Sequence, residues 1–110
     1  MFDALFDRTN LSKKMDPQSI RTLVYLLRVA DQLNKSKAIK SAKQGQYVRI
    51  PSLDDLANKI SRGDSITSDE MGLLKGQLYS VYMAYKDSDN KNLRLTSDSA
   101  VRILNQVCNL

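Results

Sequence analysis

The chain has 110 residues, of which 42% are hydrophobic and 26% charged, with a net charge of +5. This length and balance favour one folded domain with a single core, and they exclude a disordered chain. The single cysteine, Cys108, excludes an intramolecular disulfide, and the lack of histidine removes the commonest general base and metal ligand. We therefore expect a binding protein, not an enzyme, with no cofactor and no metal site.

The sequence also bears on location. No apolar run approaches the roughly 18 to 20 residues that a membrane-spanning helix requires. Asp3 and Asp7 lie in the first ten residues, where a signal peptide would carry positive charge. We expect a cytoplasmic protein with no membrane partner.

The first long helix is predicted to begin at Asp16-Pro17, because Asp can accept hydrogen bonds from free amides and Pro suits the first helical position. It should run to about Asn34. Its apolar face is formed by residues at helical spacing: Ile20, Leu23, Val24, Leu27, Ala30 and Leu33. Residues 35–44 keep helical character up to Gly45, and the pattern leaves open whether they continue the helix or break from it.

Two further helices are predicted from capping boxes. Ser52 with Asp55 opens a short helix that ends at Gly63. Thr67 with Glu70 opens a longer one that ends near residue 86. Within this longer helix, Gly72 and Gly76 are expected to permit close helix packing.

The chain after residue 85 is predicted as a polar loop over 86–92, an extended piece at 93–95 and a final helix over 97–108. That helix should bury Val101, Leu104 and either Val107 or Cys108. Residues 46–50 alternate like a strand and share an apolar-Arg-apolar pattern with 93–95, so the two pieces could pair as a ribbon. The fold class is thus all-α or nearly all-α, a single domain (1–110) of about four helices with at most a minimal two-stranded β-ribbon.

Positive charge is concentrated in one segment. Between Gln32 and Leu53 there are five bases and no acid, while the remaining twelve Lys and Arg match the twelve acids of the chain. Such a segment attracts phosphate or an acidic protein surface, although it can also serve solubility alone.

A polar stripe on the first helix points to nucleic acid. Residues 21, 25, 28, 32 and 35 are spaced four, three, four and three apart, which aligns cations and a tyrosine on one face. Such a mixture suits phosphate contacts with stacking, although an ordinary solvated face has the same pattern. The predicted nucleic-acid-binding residues, DNA or RNA, are Arg21, Tyr25, Arg28, Lys35, Lys37, Lys40, Lys43 and Arg49.

The second functional hypothesis is a protein-interaction module that docks on a larger acidic partner. It depends on aromatic residues in a docking arm over 1–12 and on a stripe in the third long helix, since Tyr is enriched at binding hot spots. These residues are Phe2, Phe6, Lys75, Tyr79, Tyr82 and Lys86. A homodimer through the Gly72 and Gly76 face is a variant of this hypothesis.

Two common motifs fit poorly. A helix-turn-helix with a first helix over 53–60 and a recognition helix that begins near Thr67 would place Asp69 and Glu70 at the start of that second helix, where they would repel phosphate. A calcium loop over 87–98 would have Lys91 in place of an oxygen ligand and Asn92 in place of the turn glycine.

Overall fold

The computed structural model describes residues 8–45 and 52–110. The elements are β1 (Arg8–Thr9), α1 (Leu11–Lys14), α2 (Pro17–Lys43), α3 (Asp54–Arg62), β2 (Ile66–Thr67), α4 (Ser68–Tyr85) and α5 (Lys91–Cys108). The nearly all-α prediction is confirmed. The four predicted helices correspond to α2 through α5, and α1 is a single additional turn.

The two-stranded ribbon exists, but other residues form it. Arg8 pairs with Thr67 and Thr9 with Ile66, antiparallel. The expected strand 93–95 is wrong because these residues are helical, and its expected partner 46–50 lies outside the described residues.

The final helix begins at Lys91, six residues earlier than expected, because Asn90 caps it. The Asn90 side chain accepts hydrogen bonds from the amides of Asn92 and Leu93, at 2.9 and 3.4 Å. Only residues 86–90 of the polar run are therefore loop. The longer helix also changes which residues are buried: Ser97, Ala100, Ile103 and Val107.

The expectation for the buried face of this helix was therefore only partly right. Val107 is buried as expected, whereas Val101 and Leu104 are half-buried and Cys108 is exposed. The buried positions Ser97 and Ala100 carry small side chains, and the Ser97 hydroxyl donates to the Tyr82 carbonyl at 3.1 Å. These small side chains let α5 lie close to α4.

Helix α2 is continuous and extends beyond the buried core. It does not break near Asn34 but ends at Lys43, and Gly45 follows with a left-handed φ of +80°. Its 27 residues span about 40 Å, close to the 44 Å longest dimension of the molecule. Beyond Asp31, none of its described side chains is buried. The last three turns therefore contribute no buried side chain among those described, although Asn34 and Lys37 still lie beside α4.

The core lies where α2, α3, α4 and α5 meet. Its fully buried larger side chains come from every one of these helices, from α1 and from β2: Leu11, Leu23, Leu26, Leu27, Ile60, Ile66, Leu74, Leu78, Val81 and Ile103. Apolar burial on this scale is the main stabilising contribution to a domain of this size.

One of the two predicted capping boxes is present. The Thr67 hydroxyl accepts from the Glu70 amide at 3.1 Å and the Glu70 carboxylate accepts from the Thr67 amide at 3.0 Å. The box predicted at Ser52 is wrong, because Leu53 is the N-cap residue and has no side-chain cap.

The prediction that Gly72 and Gly76 permit close packing against another helix of the same chain is also wrong. Both are exposed, and a Cβ built on either would meet nothing within 4 Å.

Candidate nucleic-acid interface

Two acid-free segments of the chain lie side by side in the fold. Residues 32–53 and residues 71–86 contain no Asp or Glu. The described part of the first segment, at the end of α2, packs along α4, where the Asn34 side-chain amide donates to Gln77 Oε1 at 3.2 Å. Lys37 of α2 lies at this junction.

A groove separates the end of α2 from the outer edge of α4. Its volume is about 330 Å³, and its lining consists of Lys37, Tyr79, Ser80, Met83 and Ala84. Tyr79 is 54% and Met83 45% exposed, so an aromatic ring and a thioether face solvent beside an ammonium group. The structure thus brings Lys37 of the first predicted set together with Tyr79 of the second.

The exposed Tyr79 ring is held by a neighbouring aromatic residue. The ring centroids of Tyr79 and Tyr82 are 6.3 Å apart and tilted by 44°. Tyr82 is half-buried against the core, and Lys86 Nζ lies 5.9 Å from its ring centroid, within cation-π range. The anchored Tyr82 ring therefore limits where the Tyr79 ring can move.

The three lysines at the end of α2 spread positive charge around the helix. Lys37, Lys40 and Lys43 are exposed and three residues apart, so each is rotated by about 60° from the one before. Lys37 lies beside the groove. Lys43 follows Tyr25 by 18 residues, or five helical turns, and so continues the polar stripe formed by residues 21, 25, 28, 32 and 35, which we call the outer stripe of α2. None of the three forms an ion pair with an acid in the described ranges.

The outer stripe of α2 is exposed along its whole length, but its charges are not all alike. Arg28 Nη1 lies 4.0 Å from Asp54 Oδ1, and Lys35 Nζ lies 3.0 Å from Asp31 Oδ2. Tyr25, before Arg28, and Gln32, between Arg28 and Lys35, are exposed. Neighbouring acids therefore weaken the positive potential at two of the predicted contacts.

Lys35 has a structural role because Asp31 is buried, with 4% of its surface exposed. The Leu53 amide donates to Asp31 Oδ1 at 3.0 Å, and this hydrogen bond, followed by the one from Lys35, lowers the pKa of the Asp31 carboxyl. The same contact raises the pKa of Lys35. Asp31 thereby attaches the start of α3 to α2.

Arg21 lies at the other end of α2. It borders a separate groove of about 360 Å³ whose apolar lining comes from Pro17, Ile20 and Val24. Sixteen residues of helix, about 24 Å, separate it from Lys37. The positive stripe therefore extends over much of the molecule, with its densest part at the projecting end.

Three of the sequence-predicted site residues, Phe2, Phe6 and Arg49, lie outside the described residues. On α4, Lys75 is half-buried and Lys86 also lies 4.0 Å from Asp87. Sequence reasoning missed the groove residues Ser80, Met83 and Ala84. The acid-free run 71–86 was the signal available for them, but its position next to α2 is a tertiary property.

Comparison with protein-family models, curated proteins and solved structures found no match to this chain. Among the described residues, no three His, Cys, Asp or Glu side chains are grouped as a metal site would require. In the same part of the chain, no helix combines the length and apolar character needed to span a membrane.

Proposed function

We propose that this protein binds nucleic acid through a basic aromatic face at the end of α2 and along α4. The proposed face comprises Lys37, Lys40, Lys75, Tyr79, Tyr82 and Lys86, of which Lys37 and Tyr79 line one groove, and Lys43 extends the positive charge onto the outer stripe of α2. The observation that supports it best is the packing of two acid-free segments against each other with exposed Tyr79 beside Lys37.

The chemistry of this face suits a polyanion. Ammonium groups that contact phosphates release condensed counterions, which supplies much of the affinity for nucleic acid. A tyrosine ring beside them offers a stacking surface that tolerates any base. The projecting turns of α2 can reach a nucleic-acid backbone with little obstruction from the rest of the domain.

The outer stripe of α2 adds a second contact region. Arg21, Tyr25 and Arg28 continue the line of Lys43 toward the other end of the helix. A long nucleic acid that follows α2 contacts these residues in addition, whereas a short one needs only the basic aromatic face.

The test is the salt dependence of binding to a labelled oligonucleotide of about 20 nucleotides, measured by fluorescence anisotropy. The affinity should fall steeply with salt, with a logarithmic slope of roughly −0.7 per phosphate contact for a single strand. Lys37→Glu with Lys40→Glu should weaken binding and reduce the slope.

The matched control makes the same charge change elsewhere. Lys13 and Lys14 are exposed on α1, near the start of α2 and about 30 Å along that helix from Lys37. Lys13→Glu with Lys14→Glu should leave most of the affinity intact. Equal losses in the two double variants, or binding that salt does not change, would contradict the proposal.

The alternative function is docking on an acidic protein, and the apolar part of the groove favours it. Met83 and Ala84 offer contacts that an apolar side chain can use as well as a base. Binding of a labelled peptide that alternates Glu and Leu, with no binding of any nucleic acid, would select this alternative.

A homodimer through α4 is the remaining proposal from the sequence. Gly72 and Gly76 lie on an open surface, and Leu73 beside them is 43% exposed. Sedimentation equilibrium tests it: Gly72→Lys should dissociate such a dimer, whereas a mass of 12.4 kDa for the unmodified chain contradicts it. We place the protein in the cytoplasm, which imaging of a tagged chain tests.

A further inference from the structure

We propose that the groove between α2 and α4 accepts one unpaired base, so that the protein selects single-stranded over double-stranded nucleic acid. This inference rests on the proposed function and specifies the ligand of the same face.

The shape of the groove suits one flat group. Tyr79 and Met83, one helical turn apart, form one wall, and Lys37 stands opposite on α2. The small side chains of Ser80 and Ala84 leave space between them. The groove is shallow and open to solvent, with a volume of about 330 Å³, so a base that stacks on Tyr79 would keep one side exposed.

The groove also offers the contacts that a base and its phosphate need. Tyr79 presents a ring for stacking, and its contact with Tyr82 restrains that ring before the ligand arrives. The Ser80 hydroxyl donates to the Gly76 carbonyl at 3.0 Å, which leaves its oxygen able to accept a hydrogen bond from a base. Lys37 and Lys40 lie where the adjoining phosphates would pass.

Selection of single strands follows from stacking. In a duplex the faces of the bases are covered by their neighbours, and a base reaches an aromatic ring only after it leaves the stack. A duplex therefore contacts the lysines of this face but not the Tyr79 ring. An unpaired strand uses both.

Three labelled probes of equal length test the inference by fluorescence anisotropy: oligothymidylate, an abasic strand with the same phosphates, and a duplex. The unmodified protein should bind oligothymidylate on the order of tenfold more tightly than the abasic strand, because stacking on an aromatic side chain has this magnitude. The same measurement with oligouridylate shows whether the protein also binds single-stranded RNA in this way.

Two variants provide a matched comparison. Tyr79 and Leu95 are almost equally exposed, at 54% and 51%, but only Tyr79 lines the groove. Tyr79→Ala should abolish the preference for oligothymidylate over the abasic strand, whereas Leu95→Ala and Tyr79→Phe should keep it.

Filling the groove is the second test. Ala84 is exposed on α4, so Ala84→Leu should fold normally while it occupies the space for the base. It should lower the affinity for oligothymidylate to that for the abasic strand and leave the latter unchanged.

The outcomes separate the two proposals. Equal affinity of the unmodified protein for all three probes overturns the proposal that the groove accepts a base, but it does not contradict nucleic-acid binding. Equal losses from Tyr79→Ala and Leu95→Ala also overturn it. Absence of binding to every probe contradicts the proposed function itself.

Discussion

The two halves of α2 have the same helical geometry but opposite surroundings. One line of residues, spaced four, three, four and three apart, runs through Leu26, Ala30, Leu33, Lys37 and Lys40. The first two are buried, Leu33 is half-buried and the two lysines are exposed. Burial of this face ends at Leu33, and lysines take the same face beyond that point, where Lys37 borders the groove against α4.

The comparison explains why the end of α2 is the better candidate for function. A helix that serves only the core could end where its apolar contacts end. Here three more turns project with Lys37, Lys40 and Lys43, although like charges at such spacings destabilise a helix slightly. The proposed binding of nucleic acid would compensate for that repulsion.

The largest expected effect concerns the buried half. Leu27 is fully buried, so Leu27→Ala should lower the free energy of unfolding by about 2 to 5 kcal/mol, measured by urea denaturation followed by circular dichroism. Ile39 in the second half of α2 is 58% exposed, and Ile39→Ala should change the free energy of unfolding by no more than about 0.5 kcal/mol. Similar losses at both positions would show that the projecting turns are packed.

The next effect concerns the boundary between the halves, where Asp31 accepts the Leu53 amide. Asp31→Ala should cost about 1 to 3 kcal/mol in the same denaturation experiment, because a buried donor loses its partner. Asp31→Asn keeps an acceptor oxygen and should recover much of that loss. The control Asp87→Ala removes an exposed carboxylate 4.0 Å from Lys86 and should be nearly neutral.

Acid should destabilise the contact between Asp31 of α2 and the start of α3. The pKa of Asp31 lies below its usual value of 3.8, and that of Glu70, lowered first by the Thr67 amide and then by Lys59, lies below 4.5. A lowered pKa means that this stabilisation is fully present above these usual values and is lost as the pH falls through the lower folded-state values. Urea denaturation at a series of acid pH values should therefore show a smaller loss for Asp31→Asn than for the unmodified chain. An identical loss would contradict this role for Asp31.

The smallest expected effect on stability lies at the projecting end. Lys37→Ala with Lys40→Ala should leave the free energy of unfolding within about 0.5 kcal/mol of its original value. The same variant should weaken oligonucleotide binding in the anisotropy assay. A large loss of stability with unchanged binding would reverse the assignment of the two halves.

The sequence predicted those elements that short-range chemistry determines. Asp16 accepts the Ser19 amide at 2.7 Å and so opens α2, as the Asp-Pro pattern indicated. Thr67 and Glu70 form their reciprocal box for the same reason. In both cases the interacting groups are three residues apart.

The elements that escaped prediction depend on distant residues. Asp31 and Leu53 are 22 positions apart, and the hydrogen bond between them requires α2 and α3 to be packed first. Strands β1 and β2 have two residues each, too few for an alternating pattern, and the chain between them spans three helices. The groove likewise combines Lys37 with Tyr79 and Met83 across a helix interface that the sequence does not encode locally.

The most direct test of the central claim is the map of backbone amide shifts in ¹⁵N-labelled protein during titration with oligothymidylate. We expect the largest shifts at residues 37–43 of α2 and at 79–86 of α4, with little change at Lys13 and Lys14. Shifts centred on α1 and the start of α2, around Arg21, or the absence of any shift, would contradict the assignment of the binding surface.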